Sequence, residues 1–279
     1  MTPALLALGA SAVWGASDTL GGLASRGRPV LSVMLLTRAA SVLLVGVLVL
    51  VLHPAPVGAD WPFAVVAAGV NLTGLGLLYR ALAIGPMSVV APIAATSAVV
   101  PVVWGSLSGE RPGTPTLLAL TVTVAGCVLT ARAPGGPGMA VSRAGVVSAV
   151  GAALGMGAAL TLLDRASQAS AVGAVALERS SQLVLLLLLA ALLWRRVGPG
   201  LARPGAVPLV GLLDTTAILL YATATTGGLL PVVAVLASLY PVGTVLLARL
   251  VLHERMSRWQ GVGAVVTLVA VGAVVATAS

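Results

Sequence analysis

Ten apolar runs follow one another along the 279-residue chain, separated by little more than Arg, Gly and Pro. A hydrocarbon core about 30 Å thick is crossed by about 20 helical residues. The runs, at 3–24, 29–52, 62–82, 86–107, 115–132, 143–163, 172–194, 207–226, 229–251 and 259–278, have that length. Strands of a membrane barrel would instead be about ten residues of alternating character, whereas Leu183 to Leu193 is almost unbroken Leu, Val and Ala. The expected fold is therefore an all-α integral membrane protein of ten transmembrane helices. Composition leaves no soluble alternative: 59% of residues are apolar and 8% charged, against about 45–50% and about 25% in soluble domains. The first run lacks a basic start and is followed by nine like it, so it reads as a helix and not a signal peptide.

The connections carry the breakers, as in Arg26-Gly27-Arg28-Pro29, His53-Pro54-Ala55-Pro56 and Gly198-Pro199-Gly200, and none is long enough to hold a soluble domain. Chemistry must then happen inside the membrane or at its face. The basic residues are all arginine, standing one or two at a time between apolar runs. They read as bilayer-edge anchors and topology signals, and they lack the clustering that binding nucleic acid needs. Cys127 has no cysteine partner, and His53 and His253 have no ligand neighbours at metal spacing, so neither a disulfide nor a metal is expected. Without any lysine there is no phosphate-binding Gly-Lys loop, which excludes pumping driven by the chain's own ATP hydrolysis. No cofactor is implied; the partners are a small-molecule substrate and the bilayer, and a monomer is expected.

Self-similarity organises the spans. Tyr79 and Tyr221 are 142 apart, as are Gly69 and Gly211; Arg38 and Arg179 are 141 apart; Glu110-Arg111 and Glu254-Arg255 are 144 apart. The chain divides into a first repeat at 3–132, a linker at 133–142 and a second repeat at 143–278, with five spans each. Five is odd, so the second copy enters the bilayer from the opposite side and the halves form an inverted repeat. Such folds carry a site near the midplane, between the halves.

The run Pro231-Val232-Val233-Ala234-Val235-Leu236-Ala237-Ser238-Leu239-Tyr240-Pro241, with Leu252-His253-Glu254-Arg255 and Gln260-Gly261 after it, resembles the second EamA domain of the drug/metabolite transporter superfamily. The first repeat is similar, with Trp14-Gly15, Arg38, Tyr79-Arg80-Ala81-Leu82, Pro92, Pro101 and Gly109-Glu110-Arg111. This resemblance covers nearly the whole chain. It implies a ten-helix secondary transporter of the cell inner membrane, commonly an exporter of amino acids or other small metabolites. Ala16-Ser17-Asp18 departs from the family's first-span pattern, which bears on substrate class and not on fold.

An ionisable side chain deep in the bilayer costs at least about 2.5–3.5 kcal/mol, so it is kept only for a partner or a water-lined space. Asp18, Arg38, Glu178-Arg179 and Asp214 are such residues. Asp214, the deepest carboxylate, reads either as a protonatable, proton-coupling group facing the cavity or as the ion-pair partner of Arg38 or Arg179. The two arginines, in matching places, suit a shared structural job, or a clamp on a substrate carboxylate. Trp14 and Asp18, one turn apart, share a face: lining the cavity, it suits a cationic or amine-bearing substrate; facing the aqueous edge, it makes Trp14 an interfacial anchor and Asp18 a solvated charge. Glu178, about 100° round the helix from Arg179, is a weaker candidate. Asn71, Tyr79, Tyr221 and Tyr240 are polar groups that read as interhelical bonds or cavity contacts. Pro92 and Pro101 in the fourth span, matched by Pro231 and Pro241 in the ninth, are expected to kink or gate these helices and mark the substrate route. Glu110-Arg111 and Glu254-Arg255 read as loop-fixing pairs and helix caps.

Two other classes remain: a lipid-linked sugar flippase, and a membrane-embedded enzyme acting on lipid or prenyl phosphates, although no nucleophile-base pair or acidic cluster supports a catalytic residue. Orientation carries two expectations. Arginines bias the odd-numbered loops towards the cytoplasm by ten to two, whereas the resemblance implies that both chain ends are cytoplasmic.

Overall fold

The computed structural model describes residues 2–24, 29–84, 93–94, 96–110, 112–131, 143–192, 205–240 and 258–277. Ten helices of eight or more residues can be followed in these segments: α1 (Thr2–Ala24), α2 (Val30–Leu52), α3 (Trp61–Ile84), α4 (Val99–Leu107), α5 (Thr114–Ala131), α6 (Arg143–Ser167), α7 (Ala171–Leu192), α8 (Val207–Thr225), α9 (Leu230–Ala237) and α10 (Arg258–Thr277). No strand occurs among the described residues. Each helix falls within or close to one expected span. Five stretches are long and apolar enough to cross a bilayer by themselves: Leu31–Leu52, Gly58–Leu78, Arg143–Ser167, Ala171–Leu192 and Val207–Thr225. The 133–142 linker and the 241–251 end of the ninth span lie outside the described residues.

Many large apolar side chains face outward, while alanine is frequent among the fully buried residues. Leu43, Leu50, Leu118 and Leu188 point outward, while Ala64, Ala67, Ala68, Ala149, Ala152 and Ala217 are fully buried. Lipid is as apolar as leucine, so burying leucine against a helix gains nothing over leaving it in the bilayer. Cohesion comes from close backbone approach through small residues. A Cβ added to Gly74 of α3 would stand 3.0 Å from the Met156 nitrogen of α6, and one on Gly155 would stand 3.0 Å from the Gly74 Cα. Several hydroxyls in the spans are satisfied within their own helix, Thr123, Thr161 and Ser167 each donating to the carbonyl four residues back.

The most extensive packing joins the first five helices to the last five. α1 packs on α8 and α3 on α6; α2 packs on α7, α4 on α9 and α5 on α10. Exchanging each helix with its counterpart five places on returns the same set of pairs, as a two-fold relation between the halves requires. Contacts along α1 at Gly9, Trp14, Ser17 and Gly21 meet α8 at Leu220, Asp214, Val210 and again Val210, so these helices run antiparallel. In the same way Gly74 and Leu77 of α3 meet Gly155 and Gly151 of α6.

Of the four prolines, Pro231 differs from expectation. Pro231 is the second residue of α9 and Pro101 the third of α4. A first-turn proline lacks only an N–H that no intrahelical acceptor would have used, and its fixed φ suits a helix start. Pro231 therefore opens its helix and does not kink it. Pro101 follows the 3-10 turn Thr96–Ala98, and its missing N–H leaves the Ser97 carbonyl free of a bond from that position. Gly157 of α6 packs on that carbonyl so closely that any Cβ would collide with it. Pro92 and Pro241 lie outside the described residues.

Candidate functional site

One polar cluster lies in the apolar bundle where α1, α2, α7 and α8 meet. Its centre is the Asp214 carboxylate of α8. Oδ1 accepts a hydrogen bond from Trp14 Nε1 at 3.0 Å. Oδ2 accepts one from Arg38 Nη1 at 2.6 Å and lies 3.2 Å from Arg179 Nη2. Both readings of the arginines as ion-pair partners therefore hold together: the repeat-related residues of α2 and α7 converge on one carboxylate. Behind them Arg179 Nη1 donates to Gln182 Oε1 at 3.0 Å, Gln182 Nε2 donates to Glu178 Oε1 at 2.8 Å, and Arg179 Nε stands 3.7 Å from Glu178 Oε2. Two arginines and two carboxylates leave the cluster with no net charge. Such a group is tolerated in a low-dielectric interior only when nearly every charge has its partner.

Local packing explains why the pair forms here. Gly211 lies one turn before Asp214, and a Cβ there would run into the Thr37 backbone of α2. The missing side chain lets α8 and α2 touch. Ser41 seals the contact, its hydroxyl lying 2.8 Å from the Thr37 carbonyl and 3.2 Å from the Gly211 carbonyl. Arg38 follows Thr37, so the same approach delivers its guanidinium to Asp214.

Glu178, Arg179 and Gln182 are almost completely buried, whereas Asp214 keeps 24% of its side chain exposed. The cluster is thus a wall with one open edge. Trp14 spans that edge, its ring 6.1 Å from Tyr221 and 6.4 Å from Tyr240, the second pair edge-on. The Tyr221 hydroxyl is buried without a hydrogen-bond partner among the described residues, as is the Thr215 hydroxyl.

The sequence-derived candidates thus separate. Trp14, Arg38, Asp214, Tyr221 and Tyr240 come together. Asp18 lies on α1 one turn beyond Trp14, outside the ion-pair cluster, and it is exposed. Asn71 is half-buried in α3 and makes no described bond with the cluster. The Tyr79 side chain, Arg111, Glu254 and Arg255 lie outside the described residues. Gln182 was missed, and Glu178 undervalued because 100° separates it from Arg179. The signal was the spacing Glu178, Arg179, Gln182, which puts the amide within reach of both charges at i+4 and i+3.

A second polar group sits at the other end of α8. Glu110, in the turn after α4, accepts a bond from the Leu230 N–H at 2.6 Å and caps α9. Asp164 near the end of α6 accepts one from Gln168 at 3.1 Å. Arg165 beside it stands 3.4 Å from Asp60, which ties the end of α6 to the start of α3. No group of three or more potential metal ligands occurs among the described residues.

A model of the EamA-like transporter family matches residues 1–132 and 143–276, one copy on each repeat. Compared directly, the sequence matches no curated protein. Among solved structures, one titled only "Crystal structure of protein" superimposes with a TM-score of 0.83 at 17% identity, covering 99% of this chain and 97% of that one. It shows the same fold and says nothing of substrate.

Proposed function

The chain belongs to the EamA-like transporter family, a multi-pass membrane transporter of the drug/metabolite type, and from that premise we propose that it exports a small polar or amphipathic metabolite, such as an amino acid, by alternating access. One observation carries this reading: arginines from equivalent places in the two repeats meet on Asp214 at the junction of the halves, beside the aromatic edge of Trp14, Tyr221 and Tyr240. A charged group shared by both halves holds them together, and an open edge beside it gives a solute a place to bind between them. The antiparallel contacts of α1 with α8 and α3 with α6 support ten spans in two inverted repeats, a geometry in which rocking one half exposes the site to either side. The protein works as a monomer in the cell inner membrane, driven by an ion gradient or by the substrate's own.

Counterflow in proteoliposomes tests the proposal. Vesicles preloaded with one unlabelled metabolite should transiently accumulate its labelled form from outside, without ATP. A panel of amino acids, amines and nucleosides that yields no counterflow, with the protein shown to be folded and inserted, would overturn it.

A further inference from the structure

Asp18 is a charged residue within a span that has no ion pair and no hydrogen bond among the described residues. Ala7, Ser11, Trp14 and Asp18 follow one another at intervals of four, three and four, one face of α1. Ala7 and Ser11 are buried, Trp14 is half-buried and Asp18 is exposed, so the packing over this face opens towards the C-terminal end of the helix. The exposed apolar side of α1 is another one. The exposed residues Leu5 and Ala12 sit about a third of a turn or more round the helix from Asp18. Exposure on the inward face means that Asp18 borders an open space within the bundle, the setting in which a carboxylate is retained inside a span.

The neighbours define what that space offers. Ser17 donates to the Val210 carbonyl at 3.2 Å, and Gly21 packs on the Val210 side chain. Asp18 therefore stands about one helical turn along the α1–α8 seam from Asp214. Asp214 is the titratable group facing it from α8; α9 carries none over Leu230–Ala237. Arg38, Arg179 and Glu178 stand beyond Asp214 and are engaged with it or with one another. With Asp214 covered by two guanidinium groups and an indole, the uncompensated charge on this space is that of Asp18, which has no ion-pair partner among the described residues. Trp14, one turn away, adds a ring face, which attracts cations.

We infer that Asp18 binds the cationic end of an amine-bearing substrate, with Trp14 as the adjoining wall. This rests on the transporter reading and names its substrate class. Anionic solutes are disfavoured there, because both arginines are engaged with Asp214.

Binding can be tested without transport, so the two readings fail separately. Replacing Trp61, Trp104, Trp194 and Trp259 with Phe leaves Trp14 as the sole indole in purified, detergent-solubilised protein. Benzyltrimethylammonium, which has no proton to donate, should change Trp14 emission saturably at pH 8, and uncharged benzyl alcohol should not. Asp18→Asn should weaken the cation about tenfold or more, and Asp18→Glu should restore most of it. Equal binding by wild type and Asp18→Asn, a matching response to benzyl alcohol, or no saturable response to the cation would each overturn the assignment, whatever the counterflow result. Unchanged thermal unfolding of Asp18→Asn verifies that lost binding is not lost folding, since Asp18 lies outside the buried ion-pair cluster.

Discussion

Asp214 shows how much of a site one residue can carry. Its two oxygens answer an indole and two guanidinium groups from three other helices, so its removal leaves Arg38 and Arg179 buried with one carboxylate between them. Breaking a buried pair from one side costs about 3–5 kcal/mol. Asp214→Asn should therefore lower thermal stability in detergent severely, while the amide oxygen keeps the bond from Trp14. Arg38→Met in the Asp214→Asn background should cost less than the sum of the two single changes, because the second removes a charge the first has stranded. Additive losses in that double-mutant cycle would show that the pair is not coupled. That these residues matter was legible in the sequence, because charges are rare inside spans. Which of them meet was not, because the convergence depends on Gly211 letting α8 lie against the Thr37 backbone. Pattern alone gives no sign of that contact.

Helix positions were legible because crossing a bilayer leaves little freedom in length, and the starts of α2, α6, α8 and α10 fall within a residue of the apolar runs. The ninth span shows where pattern reading fails. An apolar run marks where a helix can be, while its first turn is decided by whatever supplies the missing hydrogen bonds. Here Glu110, 120 residues earlier in the chain, meets the first N–H of α9. Pro231 beside it thereby becomes a helix opener. A carboxylate at a helix N-terminus satisfies an orphan donor and the positive end of the helix dipole together, worth about 1–2 kcal/mol. Glu110→Ala should lower thermal stability by roughly that amount and speed hydrogen exchange at Leu230 more than in mid-α8. Unchanged exchange at Leu230 would mean that the cap is idle. Gln at this position keeps an acceptor and should recover about half of the loss.

At the scale of the whole molecule, the repeat and the fold are not divided in the same way. Sequence similarity splits the chain at 133–142, yet α1, α3, α5 and α6 each make their most extensive contacts with a helix of the other repeat. Each copy is thus a set of helices whose small-residue faces have no sufficient partner at home. Isolated, it would expose rows such as Ala64, Ala67 and Ala68 to lipid, where the close backbone approach that supplies cohesion is lost. The polar cluster is divided as well, Trp14 and Arg38 coming from one copy and Glu178, Arg179, Gln182 and Asp214 from the other. An isolated second repeat would hold Asp214 against Arg179 alone, and an isolated first repeat would leave Arg38 unpaired. Fragments 1–132 and 143–279, produced separately, should be degraded or aggregate, whereas co-production should give a complex that co-purifies through a tag on either one. If the first fragment accumulates alone as a folded monomer, with protease resistance like that of the whole chain, cohesion lies within the repeats and not between them. The Asp214→Asn change in the second fragment should weaken this reassembly more than Glu110→Ala in the first, because the carboxylate holds charges from both halves while the cap holds one helix end.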